Sequence, residues 1–70
     1  MNTQNKRMER ILDWCKNLSK NSALFYELYN RLTTTDSGWD ELYELSLYDF
    51  INEEDFEHFA KVEYAGIEKQ

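Results

Sequence analysis

Few residues in this chain belong to the types that do covalent or metal chemistry, and spacing limits each of them. Cys15 is the sole cysteine and His58 the sole histidine. A nucleophilic thiol needs a base beside it, yet Cys15 falls on an apolar stripe with Met8, Ile11, Leu12 and Leu18, where a thiol serves as a small hydrophobe. Asp55 precedes His58 by three residues, the acid-x-x-His spacing of helical di-iron sites. Such a site takes a second acid–His pair and two further carboxylates, so a single histidine would need a symmetric partner copy to complete it. The stretch "INEEDFEHF" lacks the central glycine and the alternation of an EF-hand loop. No glycine-rich phosphate loop is present, and paired carboxylates for glycoside cleavage need a cleft that a chain of 70 residues has little room to build. The expectation is a protein that is not an enzyme and takes neither cofactor nor metal.

Charge is the more distinctive feature. The net charge is −6, from 14 acids against eight bases. The two signs are segregated: residues 1–20 carry +3 and residues 21–70 carry −9. The run "DSGWDELYELSLYDFINEEDFE", Asp36 to Glu57, holds nine carboxylates, five aromatic residues and no base. Part of it has a local explanation. Asp36 is placed to cap a helix, Glu53, Glu54 and Asp55 fall in a helix first turn where the dipole favours negative charge by ~0.3–1 kcal/mol each, and Glu57 can pair with Lys61 at i,i+4. Asp40, Glu41, Glu44 and Asp49 have no such local partner. The plain use for them is solubility in an aromatic-rich chain. The sharper use is binding: Asp36, Asp40 and Glu44 step ~6 Å apart along one helical face, a row of carboxylates that can stand in for phosphates, with Glu54 and Asp55 adding charge and Tyr48 an aromatic anchor. The candidate partner-binding set is therefore Asp40, Glu41, Glu44, Tyr48, Asp49, Glu54 and Asp55. Tyr43 could join it but fits core packing better, and Tyr26 lies on the far side of its helix.

These residues must be positioned by helices, because periodicity near 3.6 dominates and proline is absent. A first helix over about 4–19, capped by Thr3 or Asn2, buries Met8, Ile11, Leu12, Cys15 and Leu18. A second starts at Asn21 or Ser22, buries Leu24, Phe25, Leu28 and Leu32, carries a Glu27–Arg31 pair, and frays in Thr33-Thr34-Thr35. Asp36 or Ser37 caps a third, with Asp40 at the capping-box position. It turns Trp39, Leu42, Tyr43 and Ser46 inward and Asp40, Glu41 and Glu44 outward. Apolar residues then point all round the wheel from Leu45 to Ile51, which predicts a break near Ser46–Asp49. Asn52 caps a fourth helix that buries Phe56, Phe59 and Ala60. Beyond it "KVEYAGI" alternates like a strand, and 66–70 reads as a frayed tail. The fold class is all-α: one domain, an antiparallel cluster of three to four short helices joined by short loops.

The N-terminal segment lacks the apolar h-region of a signal peptide, and no apolar run approaches the ~18 residues that span a bilayer. A lone cysteine suits a reducing compartment, so a cytoplasmic protein without membrane contact is expected. In size and acidity the chain resembles, as a class, phage and plasmid inhibitors of restriction or CRISPR nucleases. That likeness implies a basic, nucleic-acid-binding protein partner whose channel the acids occupy. Two alternatives differ in kind. One is a structural homodimer whose acids only keep it soluble. The other is a small DNA-binding regulator using Lys6, Arg7 and Arg10, with Lys20 and Trp14 nearby; three or four phosphate contacts are a modest term, and the acidic body repels the same backbone.

Overall fold

A computed structural model describes residues 3–66, with side-chain surroundings from Asn5 onward. Four helices make up the domain: α1 (Thr3–Leu18), α2 (Ala23–Thr34), α3 (Asp36–Ser46) and α4 (Glu53–Glu63). There is no strand among the described residues. α1 packs on both α2 and α3, α2 packs on α3, and α4 closes chiefly against α1. The all-α, single-domain architecture is the one the periodicity predicts.

The stripe of α1 is buried at Met8, Ile11 and Cys15, with Leu12 and Leu18 at its margin; α2 contributes Leu24, Phe25, Leu28 and Leu32, and α4 contributes Phe56 and Ala60. Phe25 and Phe56 are both sealed from solvent and meet at 6.0 Å between centroids. Burying one such side chain contributes about 1.5–3 kcal/mol, so these rings are a large share of what a small domain can gather. Trp14 stacks on Phe56 at 5.7 Å, and Phe50 meets Phe56 edge-on at 5.3 Å. The aromatic core therefore continues outward into the loop between α3 and α4.

Helix ends follow local chemistry, with some departures from the expected caps. Asn52 caps α4, its side chain accepting from the Asp55 N–H at 2.9 Å. α2 runs through the β-branched run as far as Thr34 because the threonine hydroxyls bond back into the last turn. Thr33 donates to the Tyr29 carbonyl at 2.8 Å, Thr34 to Asn30 at 2.5 Å and Thr35 to Arg31 at 2.7 Å. Of these carbonyls only that of Arg31 is among the last four, which have no intrahelical partner; at Tyr29 and Asn30 the hydroxyl is a second donor. The cap of α3 is Thr35, not Asp36 or Ser37; Asp36 is already helical, and the Ser37–Asp40 capping box is absent. α4 stays helical to Glu63, so the strand-like pattern of its last residues is overridden, and a short turn follows through Tyr64 to Gly66. The predicted tail beyond Gly66 and the α1 cap at Asn2 lie outside the described residues.

The junction of α2 and α3 is a single residue, Thr35, in extended conformation (φ −111°, ψ 152°). Gly38 is buried against α2 there, and its N–H donates to the Thr35 carbonyl at 3.1 Å. A Cβ at Gly38 would lie 2.3 Å from the Arg31 carbonyl oxygen and 2.8 Å from that of Leu32. Backbone cannot retreat as a flexible side chain can. This contact sets which side of α3 faces inward: Leu42, Leu45 and Ser46 are buried with Gly38, whereas Trp39 and Tyr43, expected inside, are 60% and 48% exposed.

Gly38→Ala should therefore destabilise the domain by at least ~1–3 kcal/mol, the usual cost of overpacking. At ~4–8 °C per kcal/mol for a domain of this size, thermal unfolding by circular dichroism would show it as a drop of roughly 5–20 °C. An unchanged midpoint would mean the crossing is looser than described.

Candidate protein-interaction surface on the third helix

The outer side of α3 carries two parallel rows. Trp39, Tyr43 and Leu47 stand at i, i+4, i+8, and all are exposed. Asp36, Asp40 and Glu44 occupy the neighbouring row at the same spacing, also exposed. Each row is ~12 Å long at 1.5 Å rise per residue. Sequence reasoning found the acidic row and missed Trp39, which it placed in the core. The signal was Gly38, one residue earlier: with a glycine at the centre of the buried face its neighbour stands ~100° round the helix, out of the contact, but glycine carries no weight in a hydrophobic pattern.

The other expected partner-binding residues are distributed more widely. Glu41 is half-buried and committed within the fold. It accepts from Arg31 Nε at 3.0 Å, so Arg31 joins α2 to α3 through Glu41 in place of the expected i,i+4 pair with Glu27. Glu41 also accepts a hydrogen bond from the Tyr64 hydroxyl, and that hydroxyl is pushed above its ordinary pKa by burial, then by the Glu41 charge and this bond, with Arg31 opposing. Glu41 is thus a tie between α2, α3 and the end of α4, not a free carboxylate of the outer face.

Glu54 and Asp55 do not extend the α3 row. They line an opening with Ile51, His58 and Lys61, and Asp55 accepts from the Ile51 N–H at 3.2 Å, closing the turn into α4. The α4 carboxylate that approaches the row is Glu63, which shares a depression with Glu41, Glu44, Tyr48 and Tyr64. Tyr48 is 52% exposed and held by ring contacts with Phe50 (5.7 Å) and Phe59 (4.8 Å). Asp49 borders the hollow beside the bases of α1 and also a second one shared with Tyr48, Asp55 and Glu63. The expected set therefore divides into Asp40 and Glu44 on α3, Tyr48, Asp49 and Asp55 around the loop that follows it, and Glu54 at the α4 start.

The residues considered for covalent or metal chemistry are equally specific in their placement. Cys15 is sealed in the core, and burial pushes its thiol from 9.0 to about 12. His58 is exposed on α4. Among the described residues, no group of three or more His, Cys, Asp or Glu is placed to hold a metal ion. No helix among the described residues is long and apolar enough to cross a membrane. Glu57 pairs with Lys61 at 3.1 Å as its spacing predicts.

Two outcomes follow. Glu41→Gln should cost on the order of 1 kcal/mol, from a weakened, partly exposed ion pair and hydrogen bond, while Asp40→Asn and Glu44→Gln should stay within about ±0.5 kcal/mol; urea unfolding midpoints would separate them. The folded thiol holds its proton above pH 9, whereas the unfolded thiol releases it. Stability must then fall as pH rises from 9.0 towards about 12, by up to ~1.4 kcal/mol per unit from this group. Tyr64 acts in the same direction, its hydroxyl staying protonated above the usual 10.0. Cys15→Ala should flatten the first part of that decline; an identical pH profile would show that the thiol ionises in place. No protein-family model matches the chain, and neither the curated proteins nor the solved structures compared with it give a match.

Proposed function

We propose that this chain is a protein-interaction module that inhibits or modulates a basic, nucleic-acid-binding protein by docking the outer face of α3 on it. The observation that carries this reading is the exposed Trp39 ring lying beside the Asp36–Asp40–Glu44 row. Tryptophan is among the residues most enriched at binding hot spots. Folding gives no reason for one here, because the inner side of α3 is already filled by Gly38, Leu42, Leu45 and Ser46.

Charge density defines what such a face can do. One strand of duplex DNA presents a phosphate every ~3.4 Å, whereas the acidic row presents a carboxylate every ~6 Å. Carboxylates at about half the density steer the encounter and set its salt dependence, but they are too sparse to replace a nucleic acid by charge alone. The ridge of Trp39, Tyr43 and Leu47 supplies the remainder by filling an apolar slot. The same geometry weighs against a symmetric homodimer through this face, since pairing the ridges would bring two rows of carboxylates together.

The test is capture of a partner from a bacterial lysate on the immobilised chain, with excess duplex DNA or RNA as competitor. A basic protein should be retained and then displaced by nucleic acid. Trp39→Ala should weaken that capture about thirtyfold, a hot-spot loss of ~2 kcal/mol, and Asp40→Lys with Glu44→Lys should abolish it at moderate salt. Retention by both variants would end the α3 reading. Capture that nucleic acid leaves undisturbed would keep the interaction and remove the mimicry. A tight dimer in sedimentation, with no other partner retained, would favour the structural alternative.

A further inference from the structure

The bases of α1 converge on a feature that the α3 face does not use. Lys6, Arg7 and Arg10 line an open hollow of about 340 Å³ with Trp14, and the opposite wall is Tyr48, Asp49 and Phe50 from the loop after α3. Lys6, Arg10 and Trp14 succeed one another at i, i+4, i+8, so Lys6 stands ~12 Å along the helix from the indole and Arg10 lies between, its guanidinium over the Trp14 ring. Among the described residues, no ion pair engages any of the three bases. Like charges a turn apart repel, and the nearby acids, Glu9 and Asp13 on α1 and Asp49 across the hollow, form no ion pair with them among the described residues. The convergence of the bases is the condition for holding an anion.

Several side chains of the hollow are also engaged with the fold behind them. Arg7 Nη1 donates to the Ser46 carbonyl at 3.5 Å, at the C-terminus of α3, where a cation is favoured. Arg10 lies 5.9 Å from the Trp14 ring. Trp14 is backed by Phe56 and Tyr48 by Phe50, at interplanar angles of 28° and 26°. Rings supported in this way form a platform for a planar group, which at Trp14 requires Arg10 to turn from over the indole to a phosphate, and the volume falls at the small end of ligand sites. Asp49 adds an acceptor that a bare phosphate would not want and a sugar hydroxyl or an amino group on a ring would.

We propose that this hollow binds a nucleoside phosphate, with the phosphates on Lys6, Arg7 and Arg10, the base against Trp14 and Tyr48, and Asp49 accepting from the nucleoside. The site shares Tyr48 with the lower edge of the α3 surface but uses neither Trp39 nor the acidic row, so its test does not depend on a partner for that surface.

The full chain, labelled with nitrogen-15, would be titrated with the four common ribonucleoside diphosphates, with adenosine and with pyrophosphate. The protein has two indole N–H signals, Trp14 and Trp39, which makes the second an internal control. At least one diphosphate should shift Trp14 saturably and leave Trp39 in place, binding at least tenfold tighter than pyrophosphate or adenosine. Lys6→Gln with Arg10→Gln should weaken it tenfold or more with the helical signal retained, both residues being exposed. Tyr48→Leu should erase the advantage over pyrophosphate. No saturable shift with any diphosphate would overturn the proposal, as would pyrophosphate binding equally well, adenosine binding equally well, or binding that survives loss of the two bases.

Discussion

α3 can lie where it does only because Gly38 brings no side chain to the carbonyls of Arg31 and Leu32. Two helices separated by the single residue Thr35 must turn sharply, and the first turn of the second then passes over the last turn of the first. With that contact made, the rotation of α3 about its own axis is no longer free. Leu42, Leu45 and Ser46 follow Gly38 inward. Glu41 comes beside Arg31, and the Trp39 and Asp40 rows are left in water. The threonine run contributes to the same corner, because its hydroxyls satisfy themselves on the carbonyls of the preceding turn, that of Arg31 otherwise lacking an intrahelical partner. Sterics at one glycine thus decide which chemistry the domain shows to solvent.

Charge is partitioned by the same arrangement. Several acids are consumed locally: Glu41 by Arg31 and Tyr64, Glu53 by the Asn17 amide at 2.9 Å, Asp55 by the Ile51 N–H, Glu57 by Lys61. Exposed contacts of this kind add little stability each, but they remove those carboxylates from consideration as free ligands. The row on α3 has no such engagement, and neither have the carboxylates of the bases' own neighbourhood, Glu9 and Asp13 on α1. A small acidic protein therefore presents a negative face on one helix and a positive hollow on another, each with aromatic side chains and with Tyr48 in common.

How much of this the sequence disclosed depends on whether the deciding force was periodic or steric. The α1 stripe was legible because Met8, Ile11 and Cys15 have no competing face. The Asn52 cap was legible because an Asx side chain before three acids has one favourable use, and the break after Ser46 because apolar residues surrounding the wheel cannot all be buried by one helix. On α3 two seams were available. Weighing hydrophobic mass chose Trp39 and Tyr43; the crossing at Gly38 chose the seam through Leu45. Glu27 and Glu41 were likewise both within reach of Arg31, by sequence and by fold respectively, and only the tertiary arrangement brings the second one in. The end of α4 is ambiguous in the sequence for a related reason: Tyr64 is half-buried and bonded to Glu41, an anchor that local alternation does not contain.

Tyr48 is where the two surfaces meet. It borders the depression with Glu44 and Glu63 on one side and the basic hollow on the other. Its loop has little backbone regularity: Leu47 and Tyr48 donate back to Glu44 and Leu45 at 3.1 and 3.2 Å, and the next backbone bond is at Ile51. What holds the intervening residues is ring packing, Tyr48 and Phe50 against each other and both against Phe59, with Phe50 reaching Trp14 and Phe56. Aromatic pairs are worth ~0.5–1.5 kcal/mol beyond the area they bury, enough collectively to keep a six-residue connection (47–52) in one conformation. The rings that complete the core are therefore also the rings that shape both surfaces, so a substitution at Phe50 would disturb the hollow and the edge of α3 together, whereas one at Trp39 would leave the loop untouched.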